Sequence, residues 1–272
     1  MPEQVPRAVG VDVGGTKIAA GLVELENGRV LEREEIATRP GREGAEILAD
    51  CAELAGRFGG AELPVGVGLC ELVDLGGRPA SGDTIDWRGL DLTAAFGPRF
   101  TLDSDVRAAA RAEGRFGAGA GRSPFLHVIV GTGTSACLVI DGEPFEGAHG
   151  HAIVLGAPPV ESVASGGALA RRAGVDRAQD VLADPAHAVL VEGAARALGR
   201  VLAVLANALD PALIVLGGGL GSQAAFHERV AAAMAPFVAY PSMPPLQVVG
   251  TLLGSDSGVI GAALATARDH RR

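Results

Sequence analysis

Lysine is nearly absent from these 272 residues: Lys17 is the only one, and nearly all the positive charge is arginine. Two explanations fit, a compositional bias towards Arg, Ala and Gly, or a lysine retained at a phosphate-facing position. Positive charge is scarce altogether, with Lys+Arg 23 against Asp+Glu 32 and a formal net charge of -9. Such a balance argues against nucleic acid as a partner, because its binding needs a basic face. An anionic ligand must then be held by backbone amides and metal. Cysteine is sparse too. Cys51, Cys70 and Cys137 lie far apart in apolar surroundings, which suits buried free thiols in a reducing compartment, and none has the spacing of a zinc site. No uninterrupted apolar run is long enough to span a bilayer, and no basic-then-apolar leader opens the chain. The expectation is a soluble cytoplasmic protein without a membrane partner. Charged residues make up only 20% without a polar low-complexity tract, which excludes wholesale disorder.

What is present is apolar and rich in turns: 48% hydrophobic residues and 40 glycines describe a compact α/β protein, long enough for two modest domains or one large one. The organising stretch is 9–23. Apolar residues run up to Asp12, the chain bends through Gly14, Gly15 and Thr16, and a second apolar run leaves from Lys17, which reads as a β-hairpin. Glycines at such a bend let N–H groups converge on phosphate oxygens, and Asp12 is placed to hold Mg²⁺ through water. The same bend is also compatible with a plain turn. The device recurs at 127–140, where Gly131, Thr132 and Gly133 separate two apolar runs. Two such hairpins facing each other would grip a polyphosphate from both sides.

Further along, Asn27-Gly28 between apolar runs predicts a third antiparallel strand. Apolar spacing predicts helices over 43–58, 161–173, 175–182, 188–209, 226–234 and 259–268, and strands over 64–69, 100–102, 212–216 and 246–249. Asp103-Ser104-Asp105 closes a strand and opens a helix, so a carboxylate sits at a helix N-terminus, either as a simple cap or as a functional group. Gly217-Gly218-Gly219 after a central strand permits close approach of a flat ligand, or forms a tight turn. His149 and His151 lack a carboxylate or cysteine neighbour and read as loop residues.

In this order and combination, Asp12-Val13-Gly14-Gly15-Thr16-Lys17, the Asp105 region, Gly131-Thr132-Gly133, Gly147-Ala148-His149-Gly150, Glu161, Asp210-Pro211 with Gly217-Gly218-Gly219, and Gly254 with Gly258 resemble the ROK family (repressor, open reading frame, kinase) over nearly the whole chain. The resemblance implies an α/β protein of two ribonuclease-H-like domains of the actin/hexokinase ATPase fold, with a cleft between them. The expected division is 1–104 and 105–255, with a helix of about 256–272 packing back on the first domain. It further implies that Gly14, Gly15, Thr16, Lys17, Gly131, Thr132 and Gly133 serve ATP phosphates, that Asp12 places Mg²⁺, and that Gly217, Gly218 and Gly219 lie against adenosine. Asp105 matches the family's catalytic base, and a homodimer is expected.

The departures shape the expected substrate. Val154-Leu155-Gly156-Ala157 stand where the family has Glu-x-Gly-His, whose Glu and His read sugar hydroxyls. The zinc-binding cysteine cluster is missing, since a few residues with Pro158-Pro159 lead directly to Glu161, and no structural zinc is expected. Ser104 replaces the Asn before the catalytic Asp, and Cys70-Glu71 replace a usual Pro-Gly. Each unpaired hydroxyl costs about 1–3 kcal/mol, so losing two or three readers weakens glucose recognition by roughly two or more orders of magnitude. The expected activity is ATP- and Mg²⁺-dependent phosphorylation of a modified hexose, amino sugar or cyclitol, with Ser104, Asp105, Glu161, Glu71, Asp83 and Val154 on the substrate side. Glu71 and Asp83 either make that pocket acidic or are solvated loop charges. The alternative is a catalytically weak nucleotide or sugar sensor. A DNA-binding repressor is set aside for want of a reader domain and a basic surface.

Overall fold

A computed structural model describes residues 5–39, 41–155, 160–239 and 245–267. The expectations for Gly156, Ala157, Pro158 and Pro159, for Met1 to Gln4 and for the last residues from Arg268 lie outside this set. Two compact units emerge, the first taking the chain up to Phe116, Glu146–Ala152 and the residues from Ser255, the second Gly117–Phe145 and Ile153–Gly254. The division therefore falls after Phe116 and not at Ser104, because the helix that begins at Asp105 packs within the first unit.

The first unit contains β1 (Arg7–Val13), β2 (Lys17–Glu24), β3 (Val30–Ala37), α1 (Gly44–Arg57), β4 (Val65–Leu69), α2 (Leu92–Phe96), β5 (Phe100–Ser104) and α3 (Asp105–Phe116). Its sheet order is β3-β2-β1-β4-β5, with β1, β2 and β3 antiparallel to their neighbours and β1, β4 and β5 parallel. The apolar side of α1, with Ile47, Leu48 and Leu54, shares a core with Val9, Val11, Leu69, Trp87 and Phe96.

The second unit contains β6 (Phe125–Val130), β7 (Thr134–Ile140), β8 (Glu143–Pro144), α4 (Glu161–Ala164), α5 (Gly166–Ala173), α6 (Ala178–Ala183), α7 (Ala188–Leu209), β9 (Leu213–Gly217), α8 (Gly218–Gly221), α9 (Ala224–Met234) and β10 (Gln247–Gly250). Its sheet, β10-β9-β6-β7-β8, repeats the plan of the first: a central hairpin, one more antiparallel strand on one side and two parallel strands on the other. The long α7 buries Val191, Leu198 and Leu202 in a core with Val128, Ile214 and Phe226. The single helix expected over 161–173 is broken. Ser165 is extended and its hydroxyl caps Ala168 N–H, while Gly166 N–H leaves the helical ladder for Gly131 O at 2.7 Å. The helix expected from Val175 begins at Ala178.

The chain then returns to the first unit as α10 (Ser257–Ala265), which packs on α3, β1 and β4. Its approach is backbone against backbone: a methyl group on Gly10 or Gly66 would occupy the place of the Val259 or Ala262 carbonyl. Among the described residues, no helix is long and apolar enough to cross a membrane.

Candidate active site

In the first unit, parallel register sets Asp12, Gly68 and Asp103 side by side on β1, β4 and β5. Their face is covered by α3 and α10, with Gly258 directly against the Asp12 carboxylate and Ala108 against Gly68. Burial pushes the Asp12 carboxyl up to about 6, against the pull of Lys17 and Arg33. Asp105 follows one residue after β5, where its Oδ1 accepts Val106 N–H at 2.6 Å. Burial first, and the neighbouring Asp12 second, raise it to about 7, with Glu71 and Asp103 adding to the push. The structure thus brings Asp12, Glu71, Asp103 and Asp105 into one electrostatic neighbourhood, with Ser104 next to Asp105 in the chain. Cys70 belongs to it: burial drives its thiol well up, and Asp105, Glu71 and Asp12 reinforce the shift.

The turn after β1 is closed by Gly14 N–H to Lys17 O at 2.9 Å and clasped by Thr38, whose hydroxyl donates to Gly14 O at 2.7 Å. Gly15 and Thr16 complete it, with Thr16 O accepting Thr38 N–H at 3.0 Å. The lone lysine lies on its own sheet: Lys17 Nζ pairs with Glu35 at 3.0 Å, Glu35 pairs with Arg33 at 2.7 Å, and Arg33 reaches Asp256 at 3.1 Å.

Glu71 and Asp83 part company. The buried Glu71 carboxylate accepts Ser81 Oγ, Asp83 N–H at 3.0 Å, Thr84 N–H at 2.5 Å and Ile85 N–H at 2.8 Å, so it organises the 81–85 loop, whereas the Asp83 side chain is exposed. Neither reading of that pair holds for both residues. Sequence reasoning also missed Arg107 and Arg111, whose guanidinium groups converge on the buried Asp103. The available signal was Arg107 and Arg111, four apart on one face of α3, with Asp103 four residues before the first of them at the end of β5.

In the second unit the glycine turn is pinned at several points. Gly131 N–H donates to Gly133 O at 2.9 Å, Gly167 N–H to Thr132 O at 3.3 Å, and Thr134 N–H to Glu161 Oε2 at 3.1 Å. Glu161 therefore lies on the glycine turn. Gly217 ends β9, and Gly218, at φ +79°, passes so close to Val130 O that a side chain there would stand 2.7 Å from it. Gly218 and Gly219 are exposed, and Gly219 O accepts the Gln179 amide at 3.1 Å. Behind Gly217 sits His127, wholly buried, with neither ring nitrogen hydrogen-bonded, and burial lowers it to about 4. Val154 is 58% exposed, and His149 and His151 are exposed. Among the described residues no group of three His, Cys, Asp or Glu side chains could hold a metal ion.

One unit thus supplies carboxylates suited to a hard cation and to proton transfer, the other a glycine-lined backbone suited to phosphate and a flat ring. A ROK family glucokinase from Streptomyces griseus, solved with glucose and AMPPNP, matches this structure with TM-score 0.83 at 27% identity, covering 94% of this chain and 98% of that one. The duplicated plan is the actin/hexokinase fold, and the class is that of the ATP-dependent carbohydrate kinases. Residues 8–268 match the ROK family, and the chain belongs to it. The glucokinase of Streptomyces coelicolor is 28% identical over 94% of this chain and 96% of its own length. The kanosamine kinase of Amycolatopsis mediterranei is 29% identical over 94% and 95%.

Proposed function

We propose that this chain transfers the γ-phosphoryl group of ATP to a hydroxyl of a modified hexose, amino sugar or cyclitol, with Asp105 as general base. The observation that carries the reading is Asp105 itself, a carboxylate at the β5–α3 junction beside Asp12 and pushed up to about 7. A base with such a pKa matches the task of taking a hydroxyl proton near neutrality. The acceptor oxygen forms a bond to Pγ as its proton passes to Asp105, and the bond from Pγ to the bridging oxygen breaks to release ADP.

Gly14, Gly15, Thr16, Gly131, Thr132 and Gly133 offer backbone to the phosphates, and Gly217, Gly218 and Gly219 offer a surface without side chains to the nucleoside. Asp12 fits a Mg²⁺ ion held through water, since a carboxylate strained by burial gains from a nearby cation. When bound, that cation neutralises phosphate charge. The kanosamine kinase relative and the exposed Val154 in place of an acidic reader both favour an acceptor other than glucose.

Val154 also favours a second reading, a weakly catalytic sensor that binds nucleotide or sugar. An ADP-release assay with Mg·ATP against hexoses, amino sugars and cyclitols, run beside Asp105→Asn, separates the two. Turnover on a non-glucose acceptor that falls by about 10²–10⁴ in the variant supports the kinase. No turnover on any acceptor, with ATP still raising Tm, supports the sensor.

A further inference from the structure

Three buried charges, Asp103, Arg107 and Arg111, lie close to Asp105 and are assigned no proton or ligand in the chemistry proposed above. Asp103 Oδ1 accepts Ser104 N–H at 2.8 Å and Arg107 Nε–H at 2.5 Å, while its Oδ2 accepts Arg111 at 2.7 Å. Against the cost of burial, Arg111 and Arg107 hold the Asp103 carboxyl below its usual range, so the group stays an anion between two cations. Each of the two terminal nitrogens of Arg107 donates elsewhere: one to Gly150 O at 2.5 Å, the other to Val73 O at 3.0 Å. One planar group therefore ties the end of β5 to two loops at once.

Both sides of Asp105 are locked by this arrangement. On one side the N–H of the preceding residue, Ser104, donates to Asp103, and on the other the first turn of α3 carries Arg107 itself. Across from it, the 146–152 segment, which belongs to the first unit although its flanks belong to the second, rests on Arg107 through Gly150. A methyl group at Gly150 would collide with Val73 O, so the two loops meet at the point where the guanidinium holds them. His149 and His151 stand exposed on either side of that anchor.

We propose that Arg107 is a positioning residue for phosphoryl transfer, fixing Asp105 and seating the 146–152 segment on the acceptor side, with Asp103 as the buried counter-charge that it shares with Arg111. The proposal rests on Asp105 being the base. Guanidinium geometry is essential to it, since the fork must reach a carboxylate and two carbonyls from a single plane. A buried ion cluster whose only purpose is stability can be exchanged for apolar side chains of similar volume. A positioning cluster cannot.

The test compares wild type, Asp105→Asn, Arg107→Lys and the triple variant Asp103→Leu/Arg107→Met/Arg111→Met in the ADP-release assay, with Tm measured for each. The triple variant is expected to fold, to lose about 100-fold in kcat and to show a raised KM for the acceptor while KM for ATP stays within about twofold, as a misplacement near 1 Å would produce. Arg107→Lys is expected to lose about tenfold in kcat and to shift the acid limb of kcat/KM. A folded triple variant with wild-type kcat and acceptor KM overturns the proposal. If the triple variant does not fold, unchanged kinetics and pH profile in Arg107→Lys overturn it instead. Absence of wild-type turnover on every acceptor overturns the kinase reading itself, which is a different result.

Discussion

The two units share one strand plan and carry contrasting groups at their strand ends. In the first, the ends of β1 and β5 and the start of α3 carry charge: Asp12 and Asp105 are raised carboxylates, and Asp103 lies in a net positive cluster with Arg107 and Arg111. In the second, the equivalent hairpin and β9 present glycine backbone, and the nearest titratable side chain behind Gly217 is a neutral, unpartnered His127. One topology can thus present buried carboxylates or bare glycine backbone at corresponding places. The choice lies in a few residues at strand ends, and the strands themselves are indifferent to it.

The largest expected effect separates the units by activity. As Asp105 ionises, kcat/KM should rise with pH through about 7, and Asp105→Asn should remove both the limb and most of the rate. A pH–rate profile without an acid limb in that range would remove the distinction between a catalytic unit and a binding unit.

Glycine substitutions sharpen the contrast next. Gly10→Ala or Gly66→Ala must displace the α10 backbone and should cost about 3 kcal/mol or more in urea unfolding, whereas Gly56→Ala, in open space on α1, should be neutral or slightly stabilising. In the second unit Gly131→Ala meets only Ile129, at 3.8 Å, so it should leave stability nearly unchanged and weaken ATP binding instead.

Stability against pH gives a third comparison, because the two sites have opposite signs. The raised Asp12 and Asp105 contribute stability that is full below the ordinary carboxylate pKa and is lost as pH rises through about 6 and 7. His127, lowered to about 4, contributes stability that is full above 6.5 and is lost as pH falls towards 4, by at most about 3 kcal/mol. Chemical denaturation between pH 4 and 8 should find Asp105→Asn more stable than wild type at pH 8 and without that advantage at pH 4. His127→Phe should flatten the acid side instead. Identical pH dependence in both variants would contradict the assignment.

The smallest effect concerns the lone lysine. Lys17–Glu35 is an exposed pair, and Lys17→Ala or Glu35→Gln should change stability by less than about 1 kcal/mol. A much larger fall in ATP affinity for Lys17→Ala would mark Lys17 as a phosphate ligand that exchanges Glu35 for nucleotide.

What the sequence made legible was local. Both glycine hairpins, α7 between its expected limits and β9 running into Gly217 follow from periodicity and turn residues within a short window. What it hid was decided over long separations. The break at Ser165 depends on Gly131 O, and nothing around Gly166 announces that partner. Glu71 looked available to a substrate because its four donors come from Ser81, Asp83, Thr84 and Ile85, in a loop without periodicity. The place of Asp105 between a strand end and a helix start was legible, while the ion cluster around Asp103 was not read from its spacing.

The return of α10 has a consequence for how the molecule is made. During synthesis the strands β1 and β4 leave the ribosome long before Val259 and Ala262, the residues against which Gly10 and Gly66 are cut to fit. The second unit, whose described elements end at β10, can finish its core while the first still has an open face. The order of maturation then reverses the order of translation: Asp12 acquires its buried surroundings last, when Gly258 closes over it. A nascent chain stalled before α10 would hold a finished second unit and an Asp12 still open to water.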